Sequence, residues 1–92
     1  MTLESDIQKK IINYLKNEGY LVVKTIVLNV AGYPDIFAFK NGKTLFVEVK
    51  NEKGKVSDLQ QHIINSLKQQ GFDVIISRSI EDFKETLKKY KL

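Results

Sequence analysis

The sequence predicts an α/β fold in which helices flank a mixed β-sheet, with the element order αβββαβα. Three observations predict it. Near the N-terminus, apolar residues recur every three or four positions, as on one face of an amphipathic helix. Two segments of strand-forming residues flank Asn41-Gly42, the strongest short-range signal for a two-residue type I′ hairpin. A second helical pattern separates the third and fourth strands, so the fourth strand must join the sheet by a crossover.

The predicted elements follow one another closely along the chain. Gly19 closes the first helix, and the segment after it is rich in β-branched residues, which favour a strand. Ser57-Asp-Leu-Gln60 has the form of a capping box that opens the second helix, and Ser79 is a candidate cap for the last helix. The predictions are a helix over 2–18, a strand over 20–28, a loop over 29–34, strands over 36–40 and 43–49, a helix opened at 57 and closed at 71, a strand over 72–77, and a helix from 79 toward 90.

Length and composition limit the class of protein. With 92 residues the chain has room for one domain, predicted to span residues 1–92 around a single core. The absence of cysteine excludes disulfides and a thiolate zinc site, which leaves carboxylates and His62 as possible metal ligands. A lone histidine early in a helix is usually structural, so we do not assign His62 to a site. No apolar stretch approaches the ~20 residues of a membrane span, so we expect a soluble, intracellular protein, cytoplasmic if a prokaryote or phage encodes it.

The net charge of +4 and the isoelectric point near 9.3 favour polyanions as partners. The excess is mild, and many ordinary domains share it. Charge alone therefore raises the expectation of a nucleic-acid partner without establishing one.

The predicted hairpin places three charged residues together. If Asn41 and Gly42 are the two turn residues, the numbers of paired residues sum to 83, beginning with Lys40 opposite Lys43. Asp35 then lies opposite Glu48, and Lys50 points to the same face as Glu48, because side chains two positions apart share a face.

Two carboxylates held face to face repel each other, and a bound cation removes that repulsion. Mg²⁺ takes one or two carboxylates together with waters and phosphate oxygens, which matches the pair of Asp35 and Glu48. Lys50 would then stand beside the metal, where it can orient a water or stabilise charge on a phosphate. Alternatively, the pair is hydrated at the solvent end of the hairpin, with Lys50 as a surface counter-charge. Both strands are apolar on both faces, which argues against that alternative.

Four motifs in order resemble the PD-(D/E)xK nuclease superfamily, and within it the VRR-NUC domain nucleases. They are a helical glutamate at Glu4, Gly32-Tyr-Pro-Asp35, Glu48-Val-Lys50, and Gly54-Lys-Val-Ser-Asp-Leu-Gln60. The resemblance extends from Glu4 to about Ser79, and it implies a restriction-endonuclease-like αβββαβ core followed by a C-terminal helix. Archaeal-type Holliday-junction resolvases share a similar early glutamate, P-D and E-x-K.

The resemblance also implies roles for individual residues. Asp35, Glu48 and the Val49 carbonyl would bind Mg²⁺ or Mn²⁺, and Lys50 would be the catalytic lysine. Glu4 would support the metal or its waters, and Gln60 would lie near the active site. The implied activity is metal-dependent hydrolysis of DNA by a homodimer, on branched substrates such as Holliday junctions or flaps. The alternatives are a non-catalytic nucleic-acid-binding module and a restriction-type endonuclease, although the chain has no obvious element for reading bases.

Several of these residues also have purely structural interpretations. Glu4 projects onto the apolar face of its helix, yet first-turn acidic residues are also favoured by the helix dipole. Gln60 occupies the N3 position of the capping box, where glutamine is common without any catalytic role. Lys53 and Lys55 could contact phosphate or could simply be hydrated loop residues. The last helix carries basic residues that could follow a nucleic-acid backbone, but its mixed charges favour a solvated face; the basic residues are Lys84, Lys88, Lys89 and Lys91.

Overall fold

The computed structural model describes residues 2–90 and contains the predicted elements in the predicted order. The αβββαβα prediction is therefore confirmed. The elements are α1 (Glu4–Asn17), β1 (Leu21–Lys24), β2 (Ile36–Lys40), β3 (Lys43–Val49), α2 (Asp58–Gln69), β4 (Asp73–Ser77) and α3 (Ile80–Leu87).

The strands form one mixed sheet in the order β1-β2-β3-β4. β1 pairs with β2 and β2 pairs with β3 in antiparallel fashion, whereas β4 joins β3 in parallel after the crossover through α2. The β2–β3 pairs run from Lys40 opposite Lys43 to Ile36 opposite Val47, the register predicted from the turn. Asn41 and Gly42 both have positive φ, 53° and 76°, as a type I′ turn requires.

The two faces of the sheet are covered unequally. α1 and α3 cover one face and enclose the main core, whose buried residues are Ile7, Ile11, Leu15, Ile36, Ala38, Leu45, Val47, Val49, Ile75 and Phe83. On the other face, α2 packs Ile64 against Phe46 and Val74, over β3 and β4. Phe37 and Phe39 of β2 are only half-buried on that side. β3 is thus covered on both faces as its sequence predicts, while β2 is fully covered on one.

The first strand is shorter than predicted, which corrects the prediction of a strand over 20–28. β1 ends at Lys24, and the next residues form an exposed loop in which Ile26 is 88% and Val27 is 86% accessible. The amide of Thr25 makes the last backbone hydrogen bond of this pairing, to the Asp35 carbonyl at 2.8 Å. The next residue on the segment opposite is Pro34, which has no amide hydrogen and so cannot continue the ladder.

The helix ends follow local capping chemistry. The Ser57 hydroxyl accepts from the Gln60 amide, and the Gln60 side chain accepts from the Ser57 amide, so the predicted capping box is complete. Ser79 caps α3 as predicted, although this helix ends at Leu87 rather than near Tyr90. None of the helices in residues 2–90 is long and apolar enough to cross a membrane.

Candidate active site

The end of the hairpin opposite its turn brings Asp35 and Glu48 together. Asp35 immediately precedes β2, and continuation of the β2–β3 register places it opposite Glu48. The Asp35 carboxylate is fixed by the backbone amide of Val49, which donates to Oδ2 at 2.9 Å. The predicted juxtaposition of the two carboxylates agrees with this geometry.

Glu48 is buried, with 1% of its surface accessible. Its Oε2 forms an ion pair with Lys50 Nζ at 3.3 Å and accepts a hydrogen bond from Gln60 Nε2 at 3.3 Å. Its Oε1 is buried and has no hydrogen-bond partner in the described part of the chain. Burial, followed by the charge of Asp35, raises the pKa of Glu48 to about 7, against the opposing effect of Lys50.

The Asp35 carboxyl is perturbed in the same direction. Burial raises its pKa, while the hydrogen bond from Val49 and the charge of Lys50 lower it. Glu4 raises the pKa of both carboxyls through its negative charge. The surroundings therefore disfavour the charged forms of both carboxyls.

Lys50 is held beside Glu48 by the backbone that follows β3. Its amide donates to the Ser77 carbonyl at 3.0 Å and so continues the parallel pairing of β3 with β4 by one residue. Its side chain is 12% accessible, which leaves the ammonium group enclosed but reachable. The predicted convergence of Asp35, Glu48 and Lys50 at one place is present.

Glu4 lies at the edge of this cluster, at the start of α1. Its Oε2 is 3.5 Å from the Asn51 amide, the limit of a hydrogen bond. Over residues 2–90, no group of three or more His, Asp or Glu side chains is arranged to hold one metal ion together. Asp35 and Glu48 thus form a two-carboxylate site, with Glu4 next to it.

Gln60 combines the two roles that the sequence left as alternatives. Its carbonyl oxygen accepts from the Ser57 amide at 2.9 Å and completes the capping box. Its amide nitrogen donates to Glu48 at 3.3 Å. One side chain therefore links the start of α2 to the buried carboxylate.

Two contacts of the site are absent from the sequence predictions. The Gln8 side chain lies close enough to Asp35 to lower the pKa of that carboxyl. Gln8 follows Glu4 by one helical turn, and that i, i+4 spacing could have indicated it. Arg78 binds the loop after Lys50 through two backbone carbonyls, a contact for which the sequence carries no signal.

The remaining candidate residues lie on the surface. Lys53, Lys55 and His62 are exposed. Lys88 pairs with Glu85 at 3.5 Å with both side chains about three-quarters accessible, and Lys84 lies 5.0 Å from the centre of the Tyr14 ring. These contacts agree with a solvated mixed-charge face on α3, while Lys91 lies outside the described residues.

The mixed α/β sheet thus holds an aspartate opposite a buried glutamate, with a lysine beside them, at one end of its hairpin. The family model of the VRR-NUC domain matches residues 22–81, about two-thirds of the chain. The chain belongs to the VRR-NUC domain family.

Solved structures agree with this assignment. One structure of a VRR_NUC domain is 26% identical and superposes with a TM-score of 0.86, covering 99% of this chain and 100% of that one. A second, of a VRR_NUC domain protein, is 18% identical with a TM-score of 0.77, covers 97% of this chain and 88% of its own, and supports the fold alone. No curated protein matches the chain.

Proposed function

We propose that this domain hydrolyses DNA phosphodiester bonds with the help of Mg²⁺ or Mn²⁺. The observation that carries the proposal is the buried carboxylate of Glu48, which faces Asp35 and has one oxygen without a hydrogen-bond partner in the described residues. A buried like-charge pair is costly for folding, so its retention beside Lys50 points to chemistry rather than to stability.

The donor atoms suit a hard divalent cation. Both side chains offer carboxylate oxygens, and the chain has no cysteine to favour a softer metal. Asp35, Glu48 and the Val49 carbonyl would hold the ion, and Glu4 would act on it through water. When bound, the ion supplies Lewis-acid activation of the phosphate and lowers the pKa of a water molecule.

The protein itself supplies position and charge. The Val49 amide fixes Asp35, while Gln60 and Lys50 fix one oxygen of Glu48 and leave the other without a hydrogen-bond partner among residues 2–90. The enclosed ammonium of Lys50 can orient an attacking water or stabilise negative charge on the phosphate.

The uncharged segment over residues 25–34 supports assembly with a second copy. The segment from Thr25 to Pro34 contains no charged residue, and Ile26, Val27 and Val30 are at least half accessible. A surface without cations offers nothing to a polyanion, whereas two copies of an apolar patch are complementary to each other. A homodimer would carry two sites, which suits a branched DNA such as a Holliday junction or a flap.

Light scattering with size-exclusion chromatography tests the homodimer. We expect a dimer of the wild type, and a monomer when Val27→Glu places a charge in the apolar segment. A monomeric wild type at concentrations of about 100 µM would exclude this assembly.

A cleavage assay tests the activity. Purified protein is incubated with four-way-junction, flap, single-stranded and duplex DNA, and with an RNA strand, in Mg²⁺, Mn²⁺ or EDTA. We expect metal-dependent cleavage of the branched substrates and loss of cleavage in Asp35→Ala and Lys50→Ala. Lys68→Met, which removes a comparable charge from the exposed last turn of α2, is the matched control and should cleave like the wild type.

Three outcomes would contradict the proposal. Cleavage that persists in EDTA would exclude the metal, and cleavage that survives loss of Asp35 or Lys50 would exclude the site. Binding of DNA without any cleavage would identify a non-catalytic module on the same fold.

A further inference from the structure

Arg78 lies on the surface where β4 ends, next to the loop that follows Lys50. One of its terminal nitrogens, Nη1, donates to the carbonyls of both Asn51 and Gly54, each at 2.7 Å. Its own backbone is fixed by the Asp82 carboxylate, which accepts from the Arg78 amide at 2.9 Å. The guanidinium group is therefore attached to a rigid strand end and binds both ends of one short turn.

The turn that Arg78 binds, residues 51–54, is braced internally. The Asn51 side-chain oxygen accepts from the amides of Lys53 and Gly54, at 3.1 and 2.8 Å. The turn can therefore move as one unit, and the bonds to Arg78 attach it to the end of β4.

The same turn contacts two residues of the candidate active site. A Cβ atom on Gly54 would lie 2.8 Å from Glu4 Oε2 and 3.2 Å from Lys50 Cδ. The bare backbone of Gly54 thus packs directly against the glutamate of α1 and the stem of the lysine. A displacement of the turn would remove a packing contact from both Glu4 and Lys50.

We propose that Arg78 is a positioning residue for Lys50 and Glu4, acting through the 51–54 turn. The inference rests on the proposed nuclease function for its kinetic consequence, but its structural content is independent of activity. Arg78 does not touch the carboxylate pair. Its effect on the reaction passes through the backbone that places the lysine.

Steady-state kinetics of Arg78→Met test the consequence. Loss of the two hydrogen bonds should lower kcat by about 10- to 100-fold, because small displacements of a reacting group have effects of this size. KM should stay within about twofold, since the turn and not the substrate has lost its partner. Lys68→Met, with the same loss of charge far along α2, should leave both constants unchanged.

A nuclear Overhauser measurement tests the placement without any need for activity. The close approach of Gly54 to Lys50 predicts a cross-peak between the Gly54 Hα and Lys50 Hδ protons in the wild type and in Lys68→Met. Arg78→Met should weaken or abolish it. If Arg78→Met does not fold, Arg78→Lys keeps the charge but loses the planar fork, and the same weakening is expected in smaller measure.

The results separate the two ideas. A cross-peak that is lost in Arg78→Met supports the positioning role even if no variant cleaves DNA, in which case only the proposed function fails. A cross-peak that persists in full overturns the positioning role. A raised KM with unchanged kcat also overturns it, and would instead identify a direct contact between Arg78 and a phosphate group.

Discussion

Each end of the β2–β3 hairpin holds a pair of residues with like charge, and the surroundings of the two pairs differ. At the turn, Lys40 faces Lys43, and the Lys40 ammonium donates to the Glu18 carbonyl at 2.6 Å and lies 5.0 Å from the centre of the Tyr20 ring. At the other end Asp35 faces Glu48, which is buried, has a raised pKa and keeps an oxygen that no group in residues 2–90 hydrogen-bonds.

A like-charge pair points to function where the protein leaves its groups unsatisfied. Lys40 is stabilised by a carbonyl and a ring nearby, and Lys43 is exposed. The carboxylate pair is left unsatisfied by the protein, in a sheet whose other features agree with one another. Such a local conflict within a consistent fold is typical of a functional site.

The largest effect should come from Glu48→Gln, which keeps the shape of the side chain and removes its charge. Cleavage should fall by at least about 100-fold, because the charge is needed to bind the cation. In the same variant, the free energy of unfolding at pH 8 should rise by about 1–3 kcal/mol, because the buried charge is gone. Assays of rate and of urea denaturation check the two effects, and a less stable variant would mean that the charge stabilises the fold.

The pH dependence of stability should follow from the pKa of Glu48, which is about 7 in the folded protein and 4.5 as its ordinary value. The folded state keeps the proton between these pH values while the unfolded state releases it. The contribution of Glu48 to stability should therefore be complete below about pH 4.5, fall by about 1–3 kcal/mol up to pH 7, and change no further above it. Asp35, whose pKa is also raised, acts in the same direction.

Urea denaturation between pH 4 and 8 measures this dependence. The difference between wild type and Glu48→Gln isolates the contribution of this residue from that of other titrating groups. Parallel stability curves for the two proteins would show that Glu48 has the same pKa in the folded and unfolded states.

Addition of Mg²⁺ should relieve the carboxylate pair and leave the lysine pair unaffected. With a dissociation constant of about 1 mM, 10 mM Mg²⁺ adds about 1.4 kcal/mol and raises Tm by about 6–11 °C over EDTA. Asp35→Asn and Glu48→Gln should show no such rise in differential scanning fluorimetry. An equal rise in all three proteins would indicate a general salt effect.

Two variants of the α2 capping box separate the structural role of Gln60 from its role at the site. Ser57→Ala and Gln60→Ala each remove one half of the box and should each cost about 1 kcal/mol of unfolding free energy. Only Gln60→Ala loses the bond to Glu48, so only it should lower cleavage, by about tenfold. Equal activity of the two variants would reduce Gln60 to a helix cap.

The smallest effect should come from Gly42→Ala at the turn. Its φ of 76° disfavours a side chain, so we expect a loss of about 1 kcal/mol in urea denaturation. Nothing lies within 4 Å of the added methyl group, and cleavage should be unchanged. A large loss of activity would show that the two ends of the hairpin are coupled.

Much of this arrangement could be predicted from the sequence because local rules determine it. Asn41-Gly42 sets a two-residue turn, the turn sets the register, and the register places Asp35 opposite Glu48. The length of β1 could not be predicted this way. The β-branched residues after Lys24 favour a strand, but a strand also needs a partner. The segment opposite reaches Pro34, which has no amide hydrogen to pair.

The unpredicted parts of the site depend on tertiary placement. Gln8 is an ordinary residue for a helix surface, and only the packing of α1 brings it to Asp35. Arg78 reaches the loop because β4 pairs with β3 in a particular parallel register after a crossover. Sequence patterns do not specify the outcome of such a crossover, so the contact is visible only in the fold.

Gly54 has one further consequence, for the tolerance of the chain to substitution. The position lies in a surface loop, where most residue types are normally accepted. Because a Cβ there would push aside the Glu4 carboxylate and crowd the Lys50 stem, the fold should accept small residues at this position, whereas a library selected for cleavage should favour glycine. Its mutational profile would resemble that of a catalytic residue, although glycine contributes no functional group. The selection would be for the lack of a side chain.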